Sequence, residues 1–215
     1  MAPVRPVRVA PLLLALAMSA QASAALAQPN PRSTFPGRRV GGGTRGECTA
    51  RVLAHLVPAT SVYAPGATGL IALLEGPNAN PRPIAVSFRQ ANASGSTDAA
   101  RTLLSSRDLP ASSAGVTLLA VALKGATVWE SNYRCDEGVA DPADPLAMVS
   151  SQAPPAVSLL LTDATPADTA LQAKIKGLPA LCGKTVSREQ LASSFDLADV
   201  VSADWPDQLP VRCPS

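Results

Sequence analysis

Ile84-Ala85-Val86-Ser87-Phe88-Arg89 decides the fold class. Large apolar side chains at Ile84, Val86 and Phe88 alternate with Ala85, Ser87 and Arg89, the period-two pattern of a strand with one buried face. Outward from it, short apolar runs are separated by Gly, Pro, Asn and Ser clusters. They predict strands over 52–57, 69–74, 84–89, 116–123, 127–135 and 156–162. The runs at 70–74 and 116–123 are apolar on both faces, as central strands are. In 127–135, Thr127, Trp129, Ser131, Tyr133 and Cys135 share a face. Turn-rich stretches fill 76–83, 91–97 and 136–145, and 98–109 reads as a short helix or a loop.

After residue 162 the pattern changes. Thr165-Pro166-Ala167-Asp168 places a cap residue before a first-turn proline, and Ser187-Arg188-Glu189-Gln190 fits a capping box. Two helices are predicted, the first ending near Gly177 and the second near Ala198. The expected architecture is mainly β: a β-sandwich-like, immunoglobulin-like body over 46–162 with a short α-helical tail over 163–215. A Pro-, Arg- and Gly-rich segment, 28–45, precedes the body.

Residues 1–27 read as a signal peptide. Arg5 and Arg8 precede an apolar run over 9–20, and Ala25-Leu26-Ala27 offers a cleavage site, with Ala22-Ser23-Ala24 as a second. The run is too short to span a bilayer, which needs about 20 residues. The expected location is the periplasm or the exterior, without stable membrane insertion after cleavage.

Removing the leader also removes Arg5 and Arg8 from the 18 Lys+Arg, leaving 16 against 16 Asp+Glu. A formally neutral chain lacks the field that nucleic acids attract, so no nucleic-acid partner is expected. Charge is nevertheless uneven. Residues 28–60 carry Arg32, Arg38, Arg39, Arg45 and Arg51 against Glu47, whereas 190–215 carry Asp196, Asp199, Asp204 and Asp207 against Arg212. The two ends are solvated, attract each other, or present the basic one to an anionic partner.

Four cysteines in an exported chain point to two disulfides. Of the three pairings, Cys48–Cys135 with Cys182–Cys213 is preferred because it ties the two chain regions separately. A metal site is not expected: C-x-x-C is absent and His55 is the only histidine.

The stretch Arg38-Arg39-Val40-Gly41-Gly42-Gly43-Thr44-Arg45-Gly46-Glu47-Cys48 carries the candidate binding residues Arg38, Arg39, Gly41, Gly42, Gly43 and Arg45. Its glycines satisfy G-x-G-x-x-G, but no strand precedes them and Glu47 stands where a phosphate-binding lysine would be. It reads as a structural turn feeding the first strand, or as an anion-binding nest of backbone N–H groups and arginines. No nucleotide or other cofactor is implied. His55 is the sole candidate imidazole base, and no nucleophile motif anchors a triad around it. Trp129 and Tyr133 read as core, or as a sugar-stacking platform.

On this Arg- and Gly-rich opening, Leu56-Val57-Pro58, the strand at 69–75 and the aromatic strand ending Cys135-Asp136, the chain resembles a family of exported bacterial proteins. That family is known as domain of unknown function 928 and is abundant in cyanobacteria. The resemblance covers roughly 36–162, and it implies no catalytic residues. It does imply a partner, since members are encoded near sensors with an extracytoplasmic domain of the CHASE type. Its second strand is usually rich in aromatics; here it reads Gly69-Leu70-Ile71-Ala72-Leu73-Leu74-Glu75. The functional expectation is a non-enzymatic binding or accessory module partnering an envelope or sensor protein. An envelope-polymer hydrolase and a purely structural envelope protein are the alternatives.

Overall fold

A computed structural model describes residues 30–42, 52–91, 102–134 and 154–213. The signal peptide, Gly43, Arg45 and the proposed Cys48–Cys135 bridge lie outside the described residues.

Among the described residues eleven strands form two sheets. The first holds β1 (Val40–Gly41), β2 (Leu53–His55), β4 (Leu70–Glu75), β7 (Gly115–Ala120), β10 (Thr185–Ser187) and β11 (Gln208–Arg212), in the order β1-β2-β4-β7-β11-β10. The second holds β3 (Val62–Tyr63), β5 (Ile84–Gln90), β6 (Leu103–Leu109), β8 (Thr127–Tyr133) and β9 (Ala156–Leu160), in the order β3-β9-β8-β5-β6. Helices α1 (Pro31–Thr34), α2 (Pro166–Gly177) and α3 (Arg188–Phe195) complete the fold.

The side-chain period of two assigns each residue a layer. Leu53 pairs with Glu75 and His55 with Leu73, so these side chains share the face turned toward the second sheet. Ala54, Ala72, Leu74, Val116 and Val211 point the other way, where α2 packs against β4. Leu171 and Ile175 of α2, with Leu191, Phe195 and Trp205, join the same core. The central strands β4 and β7 are buried on both faces for this reason, as their continuous apolar runs imply.

The tail is therefore more than helical. Its two helices begin where the capping signals place them: Thr165 and Asp168 form a reciprocal capping box, and Ser187 caps α3. The second stops at Phe195, ahead of the expected Ala198, because Asp196 adopts a left-handed conformation. Beyond the helices, β11 runs parallel to β7 and pairs with β10, so the last residues extend the first sheet. The expected Cys182–Cys213 disulfide is present and closes this region. With a sequence separation of 31 between its cysteines, loop closure in the unfolded chain is worth about 3–4 kcal/mol.

Residues 103–109, expected to be helix or loop, form edge strand β6 on β5, with a bulge opposite Phe88 and Arg89. Arg107 turns inward from this edge, lies over the Phe88 ring at 5.8 Å and donates to the Ala120 carbonyl of the other sheet. A bulge and an inward charge both discourage pairing with a foreign strand.

The arginine- and glycine-rich opening stitches the two sheets along their other border. Arg38 exchanges two backbone hydrogen bonds with Val157 of β9, at 2.9 and 2.7 Å. Two residues later, Val40 and Gly41 pair with Ala54 and Leu53 of β2, and the Gly42 N–H returns to the Pro154 carbonyl. Such an approach leaves no room for a side chain: a Cβ on Gly41 would meet the Ala156 nitrogen at 2.3 Å. Upstream, Phe35 covers Val62, Val128 and Leu159 on the outer face of the second sheet.

Gly41→Ala should lower unfolding stability by roughly 2 kcal/mol or more in urea titration, since backbone must move to admit the methyl. Gly177→Ala, at an α-helical position with nothing within 4 Å, should instead raise it by about 0.5–1 kcal/mol. Equal effects from the two would contradict the seam.

Candidate functional site

Of the expected binding residues, Arg38 is exposed and bonded to β9 through its main chain. Gly41 and Gly42 lie within the seam. Arg39 is committed elsewhere. Its guanidinium donates to the carbonyls of Val57 at 3.0 Å, Phe195 at 3.2 Å and Asp196 at 2.6 Å, the last two at the C-terminal end of α3. A cation there meets unpaired carbonyls and the negative end of the helix. The Asp196 carboxylate is 3.9 Å away and exposed, so carbonyls rather than the ion pair hold the guanidinium. Among the described residues Arg39 thus links the basic segment to the acidic one through main-chain carbonyls.

His55 occupies the space between the sheets and is 0% exposed, as are Ser131 and Ser158. Its Nδ1 lies 2.8 Å from the Ser158 hydroxyl and its Nε2 3.0 Å from that of Ser131. The ring stacks on Trp129, with centroids 3.4 Å apart and planes 9° from parallel. A neutral imidazole donates from one nitrogen and accepts at the other, so the two hydroxyls take opposite roles. Burial holds the imidazole pKa well below its ordinary value, so the neutral ring matches this socket. A serine beside a histidine is the beginning of a nucleophilic pair. Here all three side chains are sealed from solvent and bond only one another, which is the chemistry of a structural network. Trp129 is spent in the same stack and is no sugar platform.

Sequence reasoning placed His55 on a strand face but missed its partners. Their signal was a serine at an inward position of an apolar strand, in 127–135 and again in 156–162.

A second buried titratable group is Glu75, 2% exposed. Ser112 donates to its Oε2 at 2.5 Å and Arg212 Nη1 approaches the same oxygen at 3.2 Å, while Oε1 has no hydrogen-bond partner among the described residues. Burial pushes its pKa up to about 7, although Ser112 and Arg212 oppose the shift. Arg212 also donates to the Ser113 and Ala114 carbonyls, fastening β11 beside Cys213. Elsewhere, Asp168 is buried. Burial would raise its pKa, but bonds from Thr165, the Ala64 N–H and Arg32 outweigh this and leave it below the usual range.

Among the described residues no cluster of three or more His, Cys, Asp or Glu is placed to hold a metal ion. No described helix is long and apolar enough to cross a membrane. An open cleft of about 590 Å³ lies at one end of the sandwich. Its walls are Gly66, Ala67 and Gly69 before β4, the end of β7 with Val121, Ala122 and Leu123, and Leu161 and Thr162 after β9. Gly69 has φ +57°, and a Cβ there would strike the Val121 carbonyl at 2.1 Å, so glycine keeps this wall closed up. Among the described residues no titratable side chain lines the cleft.

No family model, no curated protein and no solved structure matches this chain at a significant level.

His55 and Glu75 impose opposite pH slopes. The unfolded chain protonates His55 below about 6.5 while the folded chain refuses that proton, so stability falls as pH drops below 6.5. The folded chain keeps the Glu75 proton up to about 7 and the unfolded chain loses it near 4.5, so stability falls as pH rises across that window. Just below pH 6.5 these two contributions oppose each other. Urea titrations across pH should show Glu75→Gln losing stability toward acid below 6.5, and His55→Gln losing it toward base between 4.5 and 7. Each slope is at most about 1.4 kcal/mol per pH unit.

Proposed function

We propose that the chain is an exported, non-enzymatic binding or accessory module, periplasmic or secreted, whose ligand seats in the cleft at the end of the sandwich. The observation that carries this reading is a division of labour. The only imidazole is locked in a buried structural network, whereas the open cleft has no titratable side chain among the described residues. Rigid sheets supporting a concave end are the usual frame for recognition. Export is supported by the disulfide that closes the tail, a bond that persists in oxidising compartments. The immunoglobulin-like character of the body belongs to this proposal as well, supported by two facing sheets with a buried tryptophan between them. A membrane sensor as partner rests on the family resemblance.

Capture of partners from an envelope fraction tests the site. Ala67 is exposed at the cleft, and Ala67→Trp should lose the partner while Arg38→Ala retains it. The reverse pattern would move recognition to the arginine-rich opening. A protein that captures nothing in either form would fit the purely structural alternative.

A further inference from the structure

We propose that the loop 110–114 is a proton-operated lid at the end of the sandwich opposite the cleft. It stays shut over Glu75 while that carboxyl carries a proton, and it opens together with the Arg212 guanidinium when the carboxyl is ionised.

Strand β4 separates this device from the cleft. Gly69 precedes the strand at the cleft, whereas Glu75 ends it, opposite Gly115 of β7. Glu75 is 2% exposed, and its cover comes from the solvent side: Ser112 of the loop and Arg212 at the end of β11. The guanidinium crosses β7 at Gly115, where a Cβ would meet Nη1 at 2.8 Å and the Pro210 carbonyl at 2.7 Å. It grips the loop through the carbonyls of Ser113 at 2.6 Å and Ala114 at 3.4 Å. Loop and arginine therefore form one cover. The strand beneath is fixed separately, because Leu209 and Val211 are buried and the Cys182–Cys213 bridge ties its end.

Two buried carboxyl groups in this chain show which protonation state each site is built for. Asp168, 1% exposed, has both oxygens paired. Its Oδ1 accepts from the Ala64 N–H at 3.1 Å, and its Oδ2 from the Thr165 N–H and hydroxyl at 2.7 Å each and from Arg32 at 2.8 Å. That is a site for a carboxylate. Glu75 has both of its bonds on Oε2, and the guanidinium stands at 3.2 Å, farther than from the Ser113 carbonyl. Its Oε1 is buried with no partner among the described residues. A charge so placed is poorly compensated, and the neutral carboxyl is the form this site fits. The pKa directions agree: burial pushes Glu75 up to about 7, whereas its bonds hold Asp168 below the usual range.

Arg212 is the charge that acts on Glu75. Within the sheet, Leu53 and Gly115 flank it. From the second sheet, the Tyr133 hydroxyl donates to the Val52 carbonyl at 3.4 Å, and Arg134 and Asp108 pair with each other in solvent at 2.8 Å. Trp205 packs against Gly76, with Asp207 turned outward onto Arg188. Opening the lid hydrates Glu75 and returns its pKa to about 4.5. Between about 4.5 and 7 the open form sheds a proton that the closed form keeps, so rising pH favours opening through that window and no further above it. From pH 5.5 to 8 the open population should grow about 30-fold.

The test digests the oxidised mature chain, 28–215, with elastase at several pH values and maps the cuts. Cleavage follows the open population when reclosing outruns it. Cutting after Ala111, corrected by the rate on a free peptide of residues 109–115, should rise about 30-fold from pH 5.5 to 8 in the wild type. It should stay level in Glu75→Gln, which mimics the neutral carboxyl. In the wild type it should outpace cutting after Ala72 of β4, which requires the whole fold to open. Carboxyl ¹³C titration of the wild type, which needs no variant, should show Glu75 ionising at about 7. A level rate in the wild type, an equal rise in Glu75→Gln, cutting after Ala111 no faster than after Ala72, or ionisation at about 4.5 would each overturn the lid.

Discussion

A neutral imidazole held between two serine hydroxyls fixes how the sheets of this protein face each other. His55 projects from β2 of the first sheet, while Ser131 and Ser158 belong to β8 and β9 of the second. Both hydrogen bonds and the stack on Trp129 are satisfied at one spacing and one register only. A slip of one residue along β2 would turn His55 toward the helical layer and leave two buried hydroxyls without their partner. An apolar core alone would tolerate such sliding better, because aliphatic packing is less directional. The network thus specifies an arrangement that the small side chains of this core leave loose.

Around that contact the chain closes itself by covalent and backbone means. The opening crosses from β9 to β2 within a few residues, and Gly41 allows the crossing. Arg39 continues the connection to the third layer by gathering carbonyls from Val57 and the end of α3. At the far end, Arg212 and the Cys182–Cys213 bridge fasten β11 to the body. Features that resembled a docking surface in the sequence are, over the described residues, largely structural fastenings.

Much of the body was legible because its strands alternate or run apolar between turn residues. Ile84, Val86 and Phe88 face inward as their spacing demanded, and the caps at Thr165 and Ser187 marked both helix starts. Of the strands that escaped notice, β1, β3 and β10 have only two or three residues, too few to show a period, while β6 and β11 violate a local rule. In β6, Leu103-Leu104-Ser105-Ser106 does not alternate, because a bulge absorbs a residue. In β11, Pro210 argues against a strand, yet this edge-proximal segment joins β7 in parallel through a long excursion that no local pattern reports. The cleft was invisible for a different reason. It is made of main chain, glycine and alanine, and its polar groups belong to no particular residue type.

The histidine and its serines are consumed by the fold, and the described walls of the open cleft carry glycine, alanine, aliphatic and threonine side chains. The central claim concerns the state of that histidine, and a long-range ¹H–¹⁵N spectrum of its imidazole reads it directly. The account predicts two unequal ring-nitrogen shifts, one protonated and one bare, persisting well below pH 6.5 in the folded protein. Two equal imidazolium shifts appearing near pH 6.5 with the fold intact would contradict it.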